Sequence, residues 1–362
     1  YDKNGNIRKL YRNGQISTGV FGNIDSLGYK YPGTGNQVWA IGDIVTDVAG
    51  RGDFYDATNG YTNKEYYYDK NGNMWLDRNK RMKTVYNYLN LPARVSDTIT
   101  PANKIEYVYT SAGEKLKQRL STGTTLLHFG NYVYTLDGTA NGIAVKYILT
   151  QEGRATNSAG TYTYEYFMKD HLGNTRVSFN VPSTTAVIVQ QNDYYPFGMM
   201  HQPRATTTSD NRYLFNNKEL QNTLLGGINL EIYDYSSRYY DPQIGRWTRS
   251  DPLAESNRRW SPYNYGVDNP IRFIDPDGMA VNDPNDYFDP NTGKHLWRDN
   301  DLKNDKVLII NETTFNQITD KGRSSNQDPT NALKSSAKNL KEATLTNAAK
   351  AGIANYYYTE AG

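Results

Sequence analysis

One short pattern recurs along the chain and restricts it to folds built from tight β-hairpins. Residues 1–7 read YDKNGNI and residues 68–74 read YDKNGNM, and looser copies lie at residues 11–16 (YRNGQI) and 109–116 (YTSAGEKL). Asn-Gly or Ala-Gly between β-forming residues supplies the positive φ angles that a tight turn needs. The pattern therefore predicts that each copy forms a strand, a turn and a strand.

Between the copies, tyrosine recurs at every second position, as in residues 107–109, 132–134 and 162–166. Such alternation is typical of strands that bury one face. Turn dipeptides return too often for long helices, so almost the whole chain to about residue 245 is predicted to form hairpins. A β-sandwich or a β-propeller is the alternative architecture. Because the chain has 32 Tyr against 10 Phe, we expect tyrosine to supply most of the aromatic core.

Charge and composition exclude several classes of function. The net charge is +2, with 40 Lys and Arg against 38 Asp and Glu, so no long-range field favours nucleic acid or an anionic membrane. The absence of cysteine excludes disulfides, thiolate zinc sites and cysteine nucleophiles. The sequence has no run of about 18 apolar residues, so no transmembrane segment is predicted. The four histidines are scattered, and no phosphate-binding loop is present, so we expect neither a metal nor a cofactor.

Further motifs follow the repeats in a fixed order and carry a family resemblance. They are residues 169–176 (KDHLGNTR), 194–198 (YYPFG), 213–220 (YLFNNKEL) and 233–247 (YDYSSRYYDPQIGRW). Together with the Tyr-Asp copies, they resemble the Rhs/YD-repeat family, which includes the Tc-toxin C subunits and the teneurins. The resemblance covers about residues 1–279. It implies an all-β strip of hairpins wound into a hollow shell, of which this chain would be a fragment that lacks upstream repeats.

The resemblance also implies three regions. Residues 1–180 would form the YD-repeat shell, residues 181–279 the Rhs-associated core with its self-cleavage motif, and residues 280–362 a variable C-terminal extension. In the extension, tyrosine becomes rarer, residues 287–296 predict a hairpin and residues 306–310 a strand. Helical spacing of apolar residues predicts a helix from Asp328 to about Ala351. We therefore expect a small α+β or partly helical extension.

Two Asp-Pro units, at Asp251 and Asp275, are the strongest candidates for chemistry. Peptide hydrolysis by carboxylates needs one ionised group to activate water and one protonated group to donate to the amide. Taken alone, each Asp-Pro unit is equally consistent with a structural role, because Asp-Pro pairs are common at turns. The resemblance implies that the pair forms an intramolecular aspartyl protease that cuts after a DPxGL motif. Here the cut would fall between Met279 and Ala280, with methionine in place of the motif's leucine.

Two further residues are implied as supporting groups. Arg246 matches an arginine that holds one carboxylate ionised, although Arg249 and Arg272 are alternatives for this role. Asp277 is predicted to bend the segment before the cut as a turn residue, and it is also an alternative to Asp275 in the catalytic pair.

The resemblance implies the shell of a secreted polymorphic toxin of bacteria, found outside the cell or at its surface. Its partner would be its own C-terminal effector inside the shell, together with secretion-system components or an immunity protein, and no nucleic acid would bind the shell. The extension itself has no cluster typical of a nuclease, deaminase or peptidase site. Two alternatives are a non-catalytic structural or adhesion protein of the cell surface, and a cargo or accessory protein of a secretion or motility apparatus.

Overall fold

The computed structural model describes residues 1–45, 54–56, 63–136, 142–202, 208–279, 286–292, 294–298, 307–325 and 336–339. By its internal contacts the chain divides into two compact units. The first unit comprises residues 1–271 and 277–280, and the second comprises residues 272–276 and 281–362.

The first unit is built from antiparallel sheets. A three-stranded sheet contains β1 (Lys9–Ser17), β2 (Val20–Lys30) and β3 (Ala40–Asp43). A sheet of thirteen strands in chain order contains β4 (Tyr66–Tyr68), β5 (Met74–Asp77), β6 (Met82–Tyr86), β7 (Pro92–Asp97), β8 (Lys104–Tyr109), β9 (Lys115–Leu120), β10 (Thr125–Phe129), β11 (Tyr132–Leu136), β12 (Ile143–Thr150), β13 (Gly153–Ser158), β14 (Thr161–Lys169), β15 (Thr175–Asn180) and β16 (Val187–Gln191). This uninterrupted series of hairpins confirms the predicted all-β strip, and it differs from the separate blades of a propeller.

Residues 208–271 add shorter elements to the first unit. Their strands are β17 (Glu219–Gln221), β18 (Leu224–Leu225), β19 (Ile228–Asn229), β20 (Ile232–Asp234), β21 (Tyr239–Asp241) and β22 (Arg246–Trp247). They form a four-stranded sheet in the order β17-β20-β21-β22 and a two-stranded sheet of β18 and β19. Three short 3₁₀ helices span Phe215–Asn217, Ala254–Asn257 and Gly266–Asp268.

The Asp-x-x-Gly-Asn pattern forms a turn that its own aspartate stabilises. Asp69 Oδ1 accepts the backbone N–H groups of Asn71 and Asn73, and its Oδ2 accepts the side-chain amide of Asn73. Gly72 takes the positive φ of 79° that such a turn requires. Asp2 and Asp170 cap their turns in the same way. The turns predicted at residues 1–7 and 68–74 are therefore confirmed, although the strands predicted on either side of the turn at residues 1–7 do not form.

The copy at residues 11–16 is an exception, and the hairpin prediction there is wrong. These residues lie within the continuous strand β1, which pairs with β2, and the chain reverses between Ser17 and Val20 instead. Arg12 explains the difference, because its buried guanidinium pairs with Asp25 at 2.7 Å and donates to the carbonyl of Pro242. These partners hold the segment in the sheet.

Tyrosine supplies most of the aromatic core, as the composition predicts. The largest buried cluster combines aliphatic residues with a group of buried rings that are in mutual contact. That group includes Phe215, Tyr233, Tyr235, Tyr240, Trp247 and Tyr265. All six of these rings come from residues 215–265, so this segment supplies the aromatic part of the cluster.

The second unit mixes strands and a helix. It contains β23 (Asp286–Phe288), β24 (His295–Arg298), β25 (Val307–Ile309), the helix α1 (Glu312–Ser325) and β26 (Lys338–Asn339). The predicted hairpin and strand are confirmed as β23–β24 and β25. Only residues 336–339 of the helix predicted from Asp328 to about Ala351 are described. Lys338–Asn339 form the strand β26, so the helix prediction is wrong at these two residues. That strand pairs with β25, so tertiary pairing overrides the local pattern.

No helix in the described part of the chain is long and apolar enough to cross a membrane.

Candidate functional site

The turn between β20 and β21 places a buried arginine at the centre of the candidate site. Arg238 is 2% exposed. Its Nη2 pairs with Asp251 Oδ2 at 3.0 Å, and its Nε donates to the carbonyl oxygen of Gly278. The guanidinium also lies 4.1 Å from the ring centroid of Trp247, which stacks against it. One side chain thus joins a predicted catalytic carboxylate to the peptide directly before the predicted cut.

Asp251 is held by backbone contacts as well as by this arginine. Its Oδ1 accepts the N–H of Leu253 at 2.7 Å, and its own N–H donates to the carbonyl of Pro262 at 2.9 Å. Burial raises the pKa of the Asp251 carboxyl above its usual value, while the charge of Arg238 offsets part of this increase. The carboxyl therefore has both a partly desolvated setting and a cation beside it.

The segment before the predicted cut is shaped by hydrogen bonds. The N–H of Ser237 donates to the carbonyl of Asp277 at 3.2 Å, and Asp277 Oδ1 accepts the N–H of Met279 at 3.0 Å. Gly278 has a φ of 76°, and a Cβ there would lie 3.1 Å from the backbone nitrogen of Arg238. Glycine is therefore required at this position. Ala280, on the other side of the predicted cut, lies outside the described residues.

Asp275 belongs to residues 272–276, which group with the second unit. Its side chain is fully buried. Asp251 belongs to the first unit and Asp275 to the second.

The two arginines next to Asp251 in sequence contact other groups. Arg246 donates to Tyr31 Oη at 2.9 Å and to the carbonyl of Asn36 at 2.6 Å. Arg249 donates to the carbonyls of Leu89 and Asn90. The ion pair with Asp251 is made by Arg238.

Sequence reasoning did not select Arg238 as a functional residue. It lies within the motif at residues 233–247, eight positions before the arginine that was chosen. The available signal was its place in a tight turn between two strands, where a buried side chain can point back into the core. Which arginine reaches Asp251 depends on the pairing of β21 with β20 and β22.

A cavity of about 710 Å³ lies beside this segment. Its lining includes Met279, Arg249 and Pro252, together with Leu91 and His128. Burial lowers the pKa of His128, and its Nε2 has no hydrogen-bond partner among the described residues. The cavity lining beside Met279 mixes apolar and polar side chains.

The described residues contain no group of three or more His, Asp or Glu side chains placed to hold a metal ion.

Comparison with known proteins gives partial matches. A scan against protein-family models finds no match. The chain is 30% identical over 148 residues to the toxin subunit YenC1 of Yersinia entomophaga, a match that covers 40% of this chain and 13% of that protein. It is 29% identical over 119 residues to salivary gland surface protein 1 of Aedes aegypti, which covers 33% of this chain and 3% of that protein. The chain therefore spans a small part of the length of these relatives.

A solved structure shares the fold. The crystal structure of TcdB2-TccC3 superimposes with a TM-score of 0.52 at 18% identity, over 75% of this chain and 15% of that one. The toxin-subunit relatives and this shared fold confirm the predicted resemblance: the chain is similar in sequence to Tc-toxin subunits, as members of the Rhs/YD-repeat family are, and it shares the fold of TcdB2-TccC3.

Proposed function

We propose that this chain is part of the shell of a secreted bacterial toxin, and that it releases its own C-terminal segment by intramolecular aspartyl proteolysis after Met279. The contact of Arg238 with both Asp251 and the Gly278 carbonyl carries the proposal. It ties a partly desolvated carboxyl to the backbone that precedes the bond to be cut. Similarity to toxin subunits supports the toxin context.

The two carboxyls take different roles in the proposed reaction. The charge of Arg238 counters part of the rise in the pKa of Asp251 that burial causes, so we assign Asp251 as the base that takes a proton from water. The water oxygen attacks the carbonyl carbon of Met279. Asp275 then gives its proton to the nitrogen of Ala280 as the C–N bond breaks. The products are a carboxylic acid at Met279 and an amine at Ala280, and no other reactant is consumed.

Asp277 and Met279 have supporting parts in this proposal. The Asp277 carboxylate accepts the N–H of Met279 and so fixes the turn that presents the bond. Because Asp277 is exposed and engaged in this turn, it is a weaker candidate than Asp275 for the acid. Met279 lines the cavity, where a leucine of similar volume would also fit.

Denaturing gels of four proteins test the proposal. The wild-type chain is expected to run as two fragments, and Asp251→Asn and Asp275→Asn as one. Asp193→Asn is the matched control, because this exposed carboxylate pairs with Arg176 far along the sequence from the cut and should leave cleavage unchanged. Two fragments from either Asp251→Asn or Asp275→Asn would refute the aspartyl mechanism.

A surface of the strip favours a binding role as a second candidate function. Tyr164 on β14 is 57% exposed, and Tyr166, 38% exposed, stacks on Phe179 of β15 with ring centroids 5.4 Å apart. Rows of exposed aromatic rings mark surfaces that bind other molecules. If the chain is an adhesion protein, it should stay intact and Tyr164→Ser should weaken its binding to a glycan array or cell surface.

A further inference from the structure

A buried asparagine connects a distant hairpin turn to the core around Arg238. Asn216 has left-handed backbone angles, with φ 47° and ψ 28°. Its backbone N–H donates to Asn174 Oδ1 at 2.8 Å, and its side-chain amide donates to the carbonyl of Leu172 at 2.9 Å. These bonds attach it to the turn that Asp170 caps, between β14 and β15.

The other side of the same amide faces two buried tyrosines. Asn216 Oδ1 accepts hydrogen bonds from the hydroxyls of Tyr235 and Tyr265. Both rings are fully buried, and burial raises the pKa of Tyr235 well above its usual value, so its hydroxyl stays protonated and donates. A single acceptor atom thus fixes two aromatic rings.

These two rings contact the indole that supports Arg238. The ring of Tyr235 meets Trp247 edge-on at 5.0 Å, and the ring of Tyr265 lies 5.6 Å from Trp247. Trp247 in turn stacks on the guanidinium of Arg238. A backbone bond from the N–H of Tyr235 to the carbonyl of Arg238, 3.0 Å long, closes the same turn.

We infer that Asn216 is a positioning residue for the self-cleavage proposed above, acting through Tyr235, Tyr265 and Trp247 on the placement of Arg238. The inference rests on that proposed function. Arg238 makes three kinds of contact that all depend on its position: the ion pair with Asp251, the bond to Gly278 and the stack on Trp247. Small displacements in a catalytic arrangement have large effects on rate.

The test compares rates and pH profiles in full-length chains. Each chain is synthesised in a short cell-free pulse and shifted to buffers between about pH 4 and 8, a range that spans carboxyl and histidine titration. The appearance of fragments is then followed on gels. Asn216→Gly keeps the left-handed backbone accessible but removes every side-chain hydrogen bond. We expect it to cleave roughly tenfold more slowly.

A shift of the pH profile separates positioning from a general loss of stability. With Arg238 displaced, the ionised form of Asp251 loses the charge of its ion-pair partner, while the weaker effect of Arg249 remains, so the acidic limb of the profile should move to higher pH. Tyr235→Phe keeps the ring and removes one hydroxyl, so it should move the acidic limb in the same direction but less far than Asn216→Gly does. This variant provides the test if Asn216→Gly does not fold.

Asn211→Gly is the matched control. Asn211 is also buried and bonds the backbone of Tyr213 through its side chain, but it has no contact with the rings around Trp247. It should leave the profile in place. Wild-type rate and profile in Asn216→Gly, or an equal shift in Asn211→Gly, would overturn the inference alone. An intact wild-type chain would overturn the proposed function, and the inference with it.

Discussion

Replacing Lys115 by methionine is expected to destabilise the first unit strongly, because this lysine joins the thirteen-stranded sheet to the four-stranded one. Lys115 lies on β9, and its Nζ pairs with Glu219 of β17 at 2.6 Å and with Asp234 of β20 at 2.8 Å. All three side chains are nearly buried, with exposures of 11%, 6% and 10%. Methionine keeps the length of the side chain and removes the charge.

The magnitude follows from the two carboxylates that would be left behind. Burial alone would raise the pKa of Glu219, yet the Lys115 ammonium lowers it from 4.5 to about 2. A change of this size corresponds to roughly 3 kcal/mol. Removing one partner of a buried ion pair costs about 3–5 kcal/mol in other proteins. We therefore expect Lys115→Met to lower the free energy of unfolding by about 3 kcal/mol at pH 7.

Guanidinium chloride unfolding followed by tryptophan fluorescence measures the loss. Lys104→Met is the matched control, because Lys104 pairs with Glu106 within the exposed face of β8, at exposures of 36% and 38%. Exposed pairs contribute about 0–1 kcal/mol, so this variant should remain close to wild type. A loss below about 1 kcal/mol for Lys115→Met, or equal losses in both variants, would refute the reasoning.

The stabilisation that Lys115 provides should depend on pH, because it acts through the lowered pKa of Glu219. A carboxyl with a lowered pKa stabilises the folded state fully above its unfolded value of 4.5 and loses this stabilisation as the pH falls toward about 2. The difference between the wild-type chain and Lys115→Met should therefore be largest near neutral pH and shrink below about pH 4.5.

Three further substitutions have defined outcomes. Gly278→Ala should slow cleavage at least roughly tenfold on gels, because its Cβ would meet the backbone of Arg238; a wild-type rate would contradict the assigned turn. Met279→Leu should cleave within about twofold of wild type, since the two side chains have similar volumes, and a stalled chain would contradict the expectation that either side chain fits here. Gly153→Ala should destabilise the strip by more than about 2 kcal/mol in the same unfolding assay, because a Cβ would lie 2.0 Å from the carbonyl oxygen of Glu165; an unchanged midpoint would contradict that packing.

Local patterns predicted the strip well, because its determinants are local. The capping aspartate of each Asp-x-x-Gly-Asn turn and its glycine lie within five residues, so the turn can be read from sequence. The segment at residues 11–16 misled the prediction because Arg12 is fixed by Asp25 and by the distant carbonyl of Pro242. No local pattern reveals such a contact.

The candidate site depended more on contacts that are distant in sequence. The resemblance selected Asp251, but the arginine beside it could be identified only once the pairing of β20 and β21 was known. The link from Asn216 to Tyr265 spans 49 residues and joins groups that have no shared motif. Buried polar networks of this kind depend on the whole core, so sequence periodicity does not predict them.

Intact-mass analysis of the purified wild-type chain beside Asp251→Asn tests the central claim most directly. We expect two wild-type masses whose sum exceeds that of the chain by one water, with the break between Met279 and Ala280, and one undivided mass for Asp251→Asn. A single undivided wild-type mass, or a break at another bond, would contradict the account.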